Sequence, residues 1–264
     1  MLRTSIALLG DSIFDNGVYV PGELPVIEQL RAKFDRNTTN VEMLAVDGAI
    51  TQDVLEHQIP SLSEKVDFIV LSTGGNDALQ NIEILSDNID RSVPEVLNLF
   101  YGIRETFRQN YCAVLENLSR LERPILVCTI YNPDFRRDVS TESLQALAET
   151  ALSFFNDVIV QEALSRSLDV LDLREIFTES DDFANPIEPS AQGGEKIASK
   201  IGCWAVATKR NSANPLSLLS LKRTIYRLLA GKYSRLRSKI NALRLSFMKT
   251  ATLRKGSDPY SLLL

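Results

Sequence analysis

The sequence predicts an α/β protein in which a five-stranded parallel sheet is covered by helices on both faces. Five short, nearly continuous apolar runs alternate with longer segments in which apolar residues recur at helical spacing. Continuous apolar runs are typical of strands buried on both faces, and regular strand–helix alternation favours a parallel, doubly wound sheet. The chain has 264 residues, of which 44% are hydrophobic and 24% charged, which is sufficient for one large core. We therefore predict a three-layer α/β/α sandwich.

The predicted strands are short apolar runs, most of them rich in β-branched residues. They occupy residues 5–9, 41–46, 68–72, 125–130 and 170–173. The segments between and after them are predicted helices, which occupy residues 24–34, 52–62, 94–121, 140–165 and 190–207. Thr51 is a suitable N-cap for the second helix, and Leu144, Ala148 and Phe155 share one stripe of the fourth.

Polar residues cluster next to several predicted strand ends. They occupy segments 10–12, 47–49 and 74–77, which follow the first three strands, and 185–190, which precedes the last helix. Ligands of doubly wound sheets bind beyond the carboxyl ends of the strands. We therefore expect these four segments to meet at one edge of the sheet.

The residue types in these segments fit acyl transfer, which needs a nucleophile, a proton acceptor and hydrogen-bond donors for the developing oxyanion. Ser12 is the candidate nucleophile. The candidate donors are the N–H of Ser12, the N–H of Gly48 and the side-chain amide of Asn76. Gly48 has no Cβ, so a substrate can approach its backbone closely.

The chain resembles the SGNH hydrolase superfamily, also called GDSL esterases and lipases, over about residues 4–205. The resemblance rests on three blocks in the family's order, namely Gly10-Asp11-Ser12, Gly48 and Gly74-Gly75-Asn76-Asp77. It implies a five-stranded parallel α/β/α fold, Ser12 as nucleophile and Gly48 and Asn76 in an oxyanion hole. The implied activity is cleavage of carboxylic esters through an acyl-enzyme, without a cofactor.

The fourth block departs from the family, which has Asp-x-x-His-Pro before its last helix. Asn185 stands where the aspartate is expected, and Glu188 stands where the histidine base is expected. The only histidine, His57, is expected on the exposed face of a helix away from the site. Partial burial raises the pKa of a glutamate and makes it a better base, so Glu188 is the candidate proton acceptor. Asp181 or Asp182 is a candidate to share a proton with it.

The remaining acids near these blocks are assigned supporting roles. Asp11 is expected to orient the turn at the nucleophile, and Asp77 to cap a helix. No clustering of His, Cys, Asp and Glu predicts a metal site. The alternative function is a weakly active or inactive relative that binds a small ligand in the same cleft. It is suggested by the replacement of both the aspartate and the histidine of the family's fourth block.

The charge distribution predicts two parts, a hydrolase-like domain over residues 1–208 and a basic helical tail over 209–264. The net charge is −5, yet Asp258 is the only acid among many Lys and Arg residues after position 204. Segment 216–248 combines helical apolar spacing with basic residues. It fits an anionic membrane surface, packing on the acidic domain or disorder, and fits nucleic acid least well. The three cysteines lack metal-ligand spacing, and the N-terminal apolar run is short, so we expect a cytoplasmic protein with the option of peripheral membrane binding.

Overall fold

A computed structural model of the protein describes residues 3–83, 91–137 and 142–213. It contains one five-stranded sheet in which every paired strand is parallel, in the order β2-β1-β3-β4-β5. The strands are β1 (Thr4–Gly10), β2 (Thr39–Met43), β3 (Phe68–Ser72), β4 (Ile125–Cys128) and β5 (Asp169–Leu171). The predicted fold class is confirmed, and each predicted strand overlaps an observed one.

The second strand ends earlier than its apolar pattern indicates. The N–H groups of Leu44 and Ala45 both donate to the carbonyl of Leu8, at 2.8 and 3.0 Å, so the regular ladder stops at Met43. This irregularity turns the chain toward the 47–49 segment. It depends on a neighbouring strand and leaves no mark in the local sequence.

Six helices cover the sheet in the described residues. They are α1 (Val26–Ala32), α2 (Thr51–Asp53), α3 (Gly75–Leu79), α4 (Val93–Ser119), α5 (Gln145–Ser165) and α6 (Ala191–Ala213). The predicted helix at 52–62 takes a different form, because α2 continues as a π-turn at Val54–Gln58 and a 3-10 turn at Ile59–Ser61. Pro60 has no backbone N–H to continue an α-helical ladder.

The core lies on both faces of the sheet. One buried apolar cluster contains Ile6 and Leu8 of β1 together with residues of α1 and α6. The other contains Ala7 and Leu9 together with residues of α4 and α5. Successive side chains of a strand point to opposite faces, so the continuous apolar run of β1 serves two helical layers at once.

Gly10 ends β1 in a conformation that requires glycine. Its φ is +133°, and a Cβ built on it would lie 1.6 Å from the carbonyl oxygen of Ser72. The side chain of Gln58 also holds both backbone groups of Gly10, accepting from its N–H at 2.7 Å and donating to its carbonyl at 2.8 Å. The residue immediately before the Asp11-Ser12 turn is therefore fixed by two other segments of the chain.

Gly10→Ala should destabilise the protein by roughly 3–5 kcal/mol, because left-handed backbone strain and overpacking against β3 act together. Urea unfolding measures this change. Gly22→Ala is the matched control, since Gly22 has φ +84° but no atom within 4 Å of an added Cβ. That control should cost only about 1 kcal/mol from strain. Equal losses in the two variants would contradict the role of the Ser72 contact.

Within the described residues, no helix has both the length and the apolar character needed to cross a bilayer. The predicted basic tail lies mostly outside the described residues, which end at 213. Helix α6 runs through the predicted boundary between 208 and 209. The interpretations of segment 216–248 stay predictions from the sequence.

Candidate active site

A cleft lies at the carboxyl edge of the sheet. Its empty volume is about 960 Å³, which includes solvent space at its open mouth. Ser12, Asn76 and Glu188, which come from three separate segments, line this cleft together. Gly48 is exposed and lies outside the cleft lining. It is linked to the cleft through its neighbour Ala49, whose carbonyl accepts a hydrogen bond from the Asn76 side chain at 3.0 Å.

Ser12 lies in a tight turn organised by Asp11. The Asp11 carbonyl accepts from the N–H groups of Phe14 and Asp15 at 3.1 and 3.2 Å, and its side chain accepts from the N–H of Ile13 at 3.2 Å. The Ser12 side chain is buried, with 7% of its surface exposed. Within the described residues the Ser12 N–H donates to no other group, so it is available to a ligand.

Gly48 lies in a turn closed by a hydrogen bond from the N–H of Ala49 to the carbonyl of Val46 at 3.1 Å. Its φ of +80° suits the third position of a type II turn, where glycine is favoured. No atom lies within 4 Å of a Cβ built on it, so open space adjoins this backbone. The N–H of Gly48 has no acceptor in the described part of the chain.

Asn76 and Asp77 lie in α3 and have different partners. One amide hydrogen of Asn76 is used by the Ala49 carbonyl, and because the amide carries two hydrogens, the other can serve a ligand. Asp77 accepts from both the N–H and the hydroxyl of Thr51, each at 2.9 Å, and so holds the first turn of α2. The helix whose start Asp77 holds is therefore the one that precedes it in the chain.

The loop that carries Glu188 is folded by Asn185. The side-chain oxygen of Asn185 accepts from the N–H groups of Ile187 and Glu188, each at 3.0 Å. The Tyr131 hydroxyl donates to the Ile187 carbonyl at 2.6 Å, which ties the loop to the segment after β4. Asn185 thus orients Glu188 through the backbone.

Glu188 is buried, with 7% of its surface exposed, and lies against Ser12. Burial raises its pKa to about 7, the Ser12 side chain acts in the opposite direction, and the charge of Asp47 adds to the rise. Its Oε2 atom is buried and has no hydrogen-bond partner within the described chain. A carboxyl with a pKa near neutrality is far better matched to general base work than an exposed glutamate.

Neither of the candidate partners Asp181 and Asp182 lines the cleft, whereas Asp11 lines it together with Glu188. Asp182 pairs with Lys196 at 2.6 Å. Burial favours a higher pKa for Asp182, but hydrogen bonds led by that of Lys196 outweigh it and hold the pKa below its ordinary value. Asp181 is exposed. Neither acid is therefore placed to share a proton with Glu188.

His57 is exposed, as expected from the sequence, and the inward position next to it is taken by Gln58. No group of three or more His, Cys, Asp or Glu side chains is placed to hold a metal ion in the residues that the structure describes.

Sequence reasoning missed the apolar wall of the cleft. Helices α4 and α5 supply most of it, through Phe100, Ile103, Ala148, Ala151, Leu152 and Phe155. Ala148 and Phe155 share the apolar stripe predicted for this helix, and spacing alone does not say whether such a stripe faces a core or a cleft. The segment after β4 also lines the cleft, through Tyr131, Pro133 and Phe135.

The fold and these strand-end segments define a three-layer α/β protein with a cleft at the carboxyl edge of its sheet, in which a few polar groups face an apolar wall. A sequence profile of the GDSL-like Lipase/Acylhydrolase family matches residues 8–196, and the chain belongs to this family. The resemblance inferred from the three sequence blocks is confirmed. No curated protein sequence gives a significant match.

Solved structures of lipases and esterases share the fold. The lipase Lip_vut3 from a goat rumen metagenome is 22% identical, with a TM-score of 0.58 over 75% of this chain and 96% of its own. The acetyl xylan esterase AlAXEase is 20% identical, with a TM-score of 0.55 over 76% and 98%. An extracellular lipase from Streptomyces rimosus is 19% identical, with a TM-score of 0.53 over 76% and 100%.

Proposed function

We propose that this protein is an esterase that cleaves carboxylic esters with Ser12 as nucleophile and Glu188 as base. Membership of an acylhydrolase family supports the reaction class. The observation that carries the specific proposal is that Ser12 and the buried Glu188 line one cleft, although they come from opposite ends of the domain's sequence. A serine needs an adjacent base to become nucleophilic, and Glu188 is the group that lies there.

The reaction proceeds in two stages. Glu188 takes the proton of the Ser12 hydroxyl while Oγ attacks the acyl carbon, and it returns this proton to the leaving alkoxide as the ester bond breaks. In the second stage Glu188 takes a proton from water, the water oxygen attacks the acyl-enzyme, and the proton returns to Ser12. The free acid leaves, and the carboxylate of Glu188 is restored.

The negative charge that forms on the carbonyl oxygen is accepted by three donors in this proposal. They are the N–H groups of Ser12 and Gly48 and the second amide hydrogen of Asn76. The bond from Asn76 to Ala49 holds the amide next to the Gly48 turn, which supports their acting together. Removing one donor of this kind typically lowers the rate by about 10²–10³.

The cleft favours an apolar acyl group. The polar groups lie at the Ser12 end, whereas the walls from α4 and α5 are apolar and expose no charged side chain to the cleft. Burying each methylene against such walls contributes about 0.8 kcal/mol. We therefore expect esters with a longer apolar acyl chain to react with higher kcat/KM than acetyl esters.

Ala151→Phe should lower kcat/KM for an octanoyl ester by about tenfold or more while changing that for an acetyl ester by less than about threefold. The reason is that Ala151 lines the apolar part of the cleft, and a ring there fills the space that a long acyl chain needs. Initial rates with p-nitrophenyl esters of the two acids measure it.

Ala146→Phe is the control for this variant, because Ala146 is exposed on the same helix. It should leave the ratio of octanoyl to acetyl hydrolysis unchanged. An equal loss on both esters in Ala151→Phe would contradict the placement of the acyl chain against α5.

A fluorophosphonate probe tests the function itself. The full-length protein should be labelled on Ser12 and should hydrolyse short p-nitrophenyl esters somewhere between about pH 5 and 9. The alternative is a relative that binds a small ligand in this cleft without turnover. The replacement of the family's aspartate by Asn185 and of its histidine by Glu188 favours this alternative. Absence of both labelling and hydrolysis would select that alternative.

A further inference from the structure

The π-turn that follows α2 ends at a buried polar side chain. The N–H of Ile59 donates to the carbonyl of Val54, five residues earlier, and this bond defines the π-turn. Gln58 is buried, with 4% of its surface exposed, whereas its neighbours Glu56 and His57 are exposed. π-turns are rare and occur frequently at functional sites. The role of Gln58 therefore needs an explanation.

Both ends of the Gln58 amide bind one residue, Gly10. The side-chain oxygen of Gln58 accepts from the Gly10 N–H at 2.7 Å, and its side-chain N–H donates to the Gly10 carbonyl at 2.8 Å. The same carbonyl also accepts from the N–H of Val46 at 3.1 Å, so both of its lone pairs are used. We call the three bonded residues 10, 46 and 58 the Gly10 clamp.

The Gly10 clamp joins two turns of the proposed active site. The nucleophile turn, residues 11–15, follows Gly10 directly and contains Ser12. The Gly48 turn, residues 46–49, begins at Val46 and supplies one of the proposed oxyanion donors. The two turns come from different parts of the chain, so the distance between them is set by contacts such as those of the clamp.

A second hydrogen bond between these turns lies at the surface. It runs from the N–H of Asp47 to the Asp15 carboxylate at 3.0 Å and is exposed. Water competes for exposed hydrogen-bonding groups, whereas a buried group that loses its partner is left unsatisfied. The Gly10 clamp is therefore the firmer of the two constraints on the spacing between the Ser12 hydroxyl and the Gly48 N–H.

We propose that Gln58 is a positioning residue that sets this spacing through the backbone of Gly10. The inference rests on the proposed esterase function, in which Ser12 and the Gly48 N–H act on the same carbonyl group. Gln58 lies outside the cleft lining, so its effect on the reaction is transmitted by Gly10. A misplacement of reacting groups by about 1 Å can lower a rate by about 10²-fold.

Gln58→Met removes both bonds to Gly10 and keeps a side chain of similar size. It should lower kcat for ester hydrolysis by about 10–100-fold and change KM by less than about threefold, because the acyl-binding walls of α4 and α5 are untouched. The rate constant for fluorophosphonate labelling of Ser12 should fall in parallel with kcat. A wild-type kcat in this variant would overturn the inference.

Thr129→Val is the matched control for loss of stability. Thr129 is 1% exposed, and its hydroxyl donates to Asp172 at 2.8 Å and accepts from the N–H of Leu173 at 2.9 Å. These three residues lie outside the cleft lining. Like Gln58→Met, the variant breaks two hydrogen bonds of one buried side chain, and each variant should lower Tm by about 3–10 °C. Thr129→Val should nevertheless change kcat by less than about threefold. Equal losses of kcat in the two variants would show that Gln58 acts on stability alone.

Gln58→Asn covers the case in which Gln58→Met does not fold. It keeps the amide but shortens the side chain by one carbon, so both bonds to Gly10 cannot keep their present lengths. It should lower kcat by about fivefold or more with KM unchanged. An unchanged kcat would again contradict the inference.

Amide spectra of the full-length protein labelled with nitrogen-15 test the Gly10 clamp without turnover. In the folded Gln58 variant the N–H resonances of Ser12 and Gly48 should both shift, whereas both should stay in place in Thr129→Val. Failure of either resonance to shift would refute the inference. An inactive wild type in which both resonances shift would refute the esterase proposal alone and leave the coupling of the two turns through Gln58 established.

Discussion

Ser12→Ala should lower kcat for ester hydrolysis by about 10⁴-fold or more and abolish labelling by a fluorophosphonate. In the proposed mechanism the hydroxyl oxygen forms the acyl-enzyme, and no solvent water can replace it within the same covalent route. The loss is expected in kcat, because the apolar wall that binds the acyl chain is untouched. Steady-state kinetics with an octanoyl ester and intact-mass analysis of the labelled protein measure the two effects.

Ser72→Ala separates Ser12 from a second serine that lines the cleft in the described residues. Ser72 ends β3 and is 4% exposed, so it is a rival candidate for the nucleophile. The Ser72→Ala variant should still be labelled at Ser12. Labelling that survives in Ser12→Ala and is lost in Ser72→Ala would reassign the nucleophile. Both variants remove a hydroxyl of the same size at neighbouring strand ends, so differences in folding are small.

The parts of the fold that could be predicted are those that depend on local sequence. The run at 68–72 is apolar at every position but the last, and β3 has these bounds in the structure. The end of β2 could not be predicted, because it is set by two N–H groups that share the Leu8 carbonyl of another strand. The π-turn Val54–Gln58 is likewise fixed by the contact of Gln58 with Gly10.

The same distinction holds for the site. Ser12, Asn76 and Glu188 could be predicted to meet, because each lies next to the end of a strand or the start of a helix at one edge of the sheet. The acid that lines the cleft together with Glu188 could not be predicted from sequence distance. Asp182 is six residues away and pairs with Lys196, whereas Asp11 is far away in sequence and lines the same cleft. Burial and the choice of partner are properties of packing.

Glu188→Gln should lower kcat/KM by about 10²–10⁴-fold, because the amide cannot accept the proton of Ser12. It should also remove the acid limb of the pH profile. In the proposed mechanism the ionised form of Glu188 is the active one, so activity should be lost as the pH falls through about 7. One pH unit below that value about a tenth of the molecules are ionised, and activity should fall about tenfold. If the acid limb persists in Glu188→Gln, the ionisation that produces it belongs to another group.

Glu188→His tests whether the site accepts the base found at this position in the family. An imidazole has an ordinary pKa near 6.5 and is a suitable base, but its second nitrogen needs an acceptor that fixes its orientation. Asn185 offers one oxygen, and that oxygen is already used by the N–H groups of Ile187 and Glu188. Glu188→His alone should therefore recover only part of the activity lost in Glu188→Gln.

The double variant Asn185→Asp, Glu188→His should exceed the single histidine variant. An aspartate keeps the oxygen that accepts the two loop N–H groups and adds a second oxygen for the imidazole, so the loop is preserved while the base gains a partner. kcat/KM for one ester across the three variants measures the order. The contrary result is a Glu188→Gln variant that retains the kcat/KM of the wild type, with no change in the histidine variants. Three different side chains at position 188 would then give the same rate, and position 188 would not hold the base.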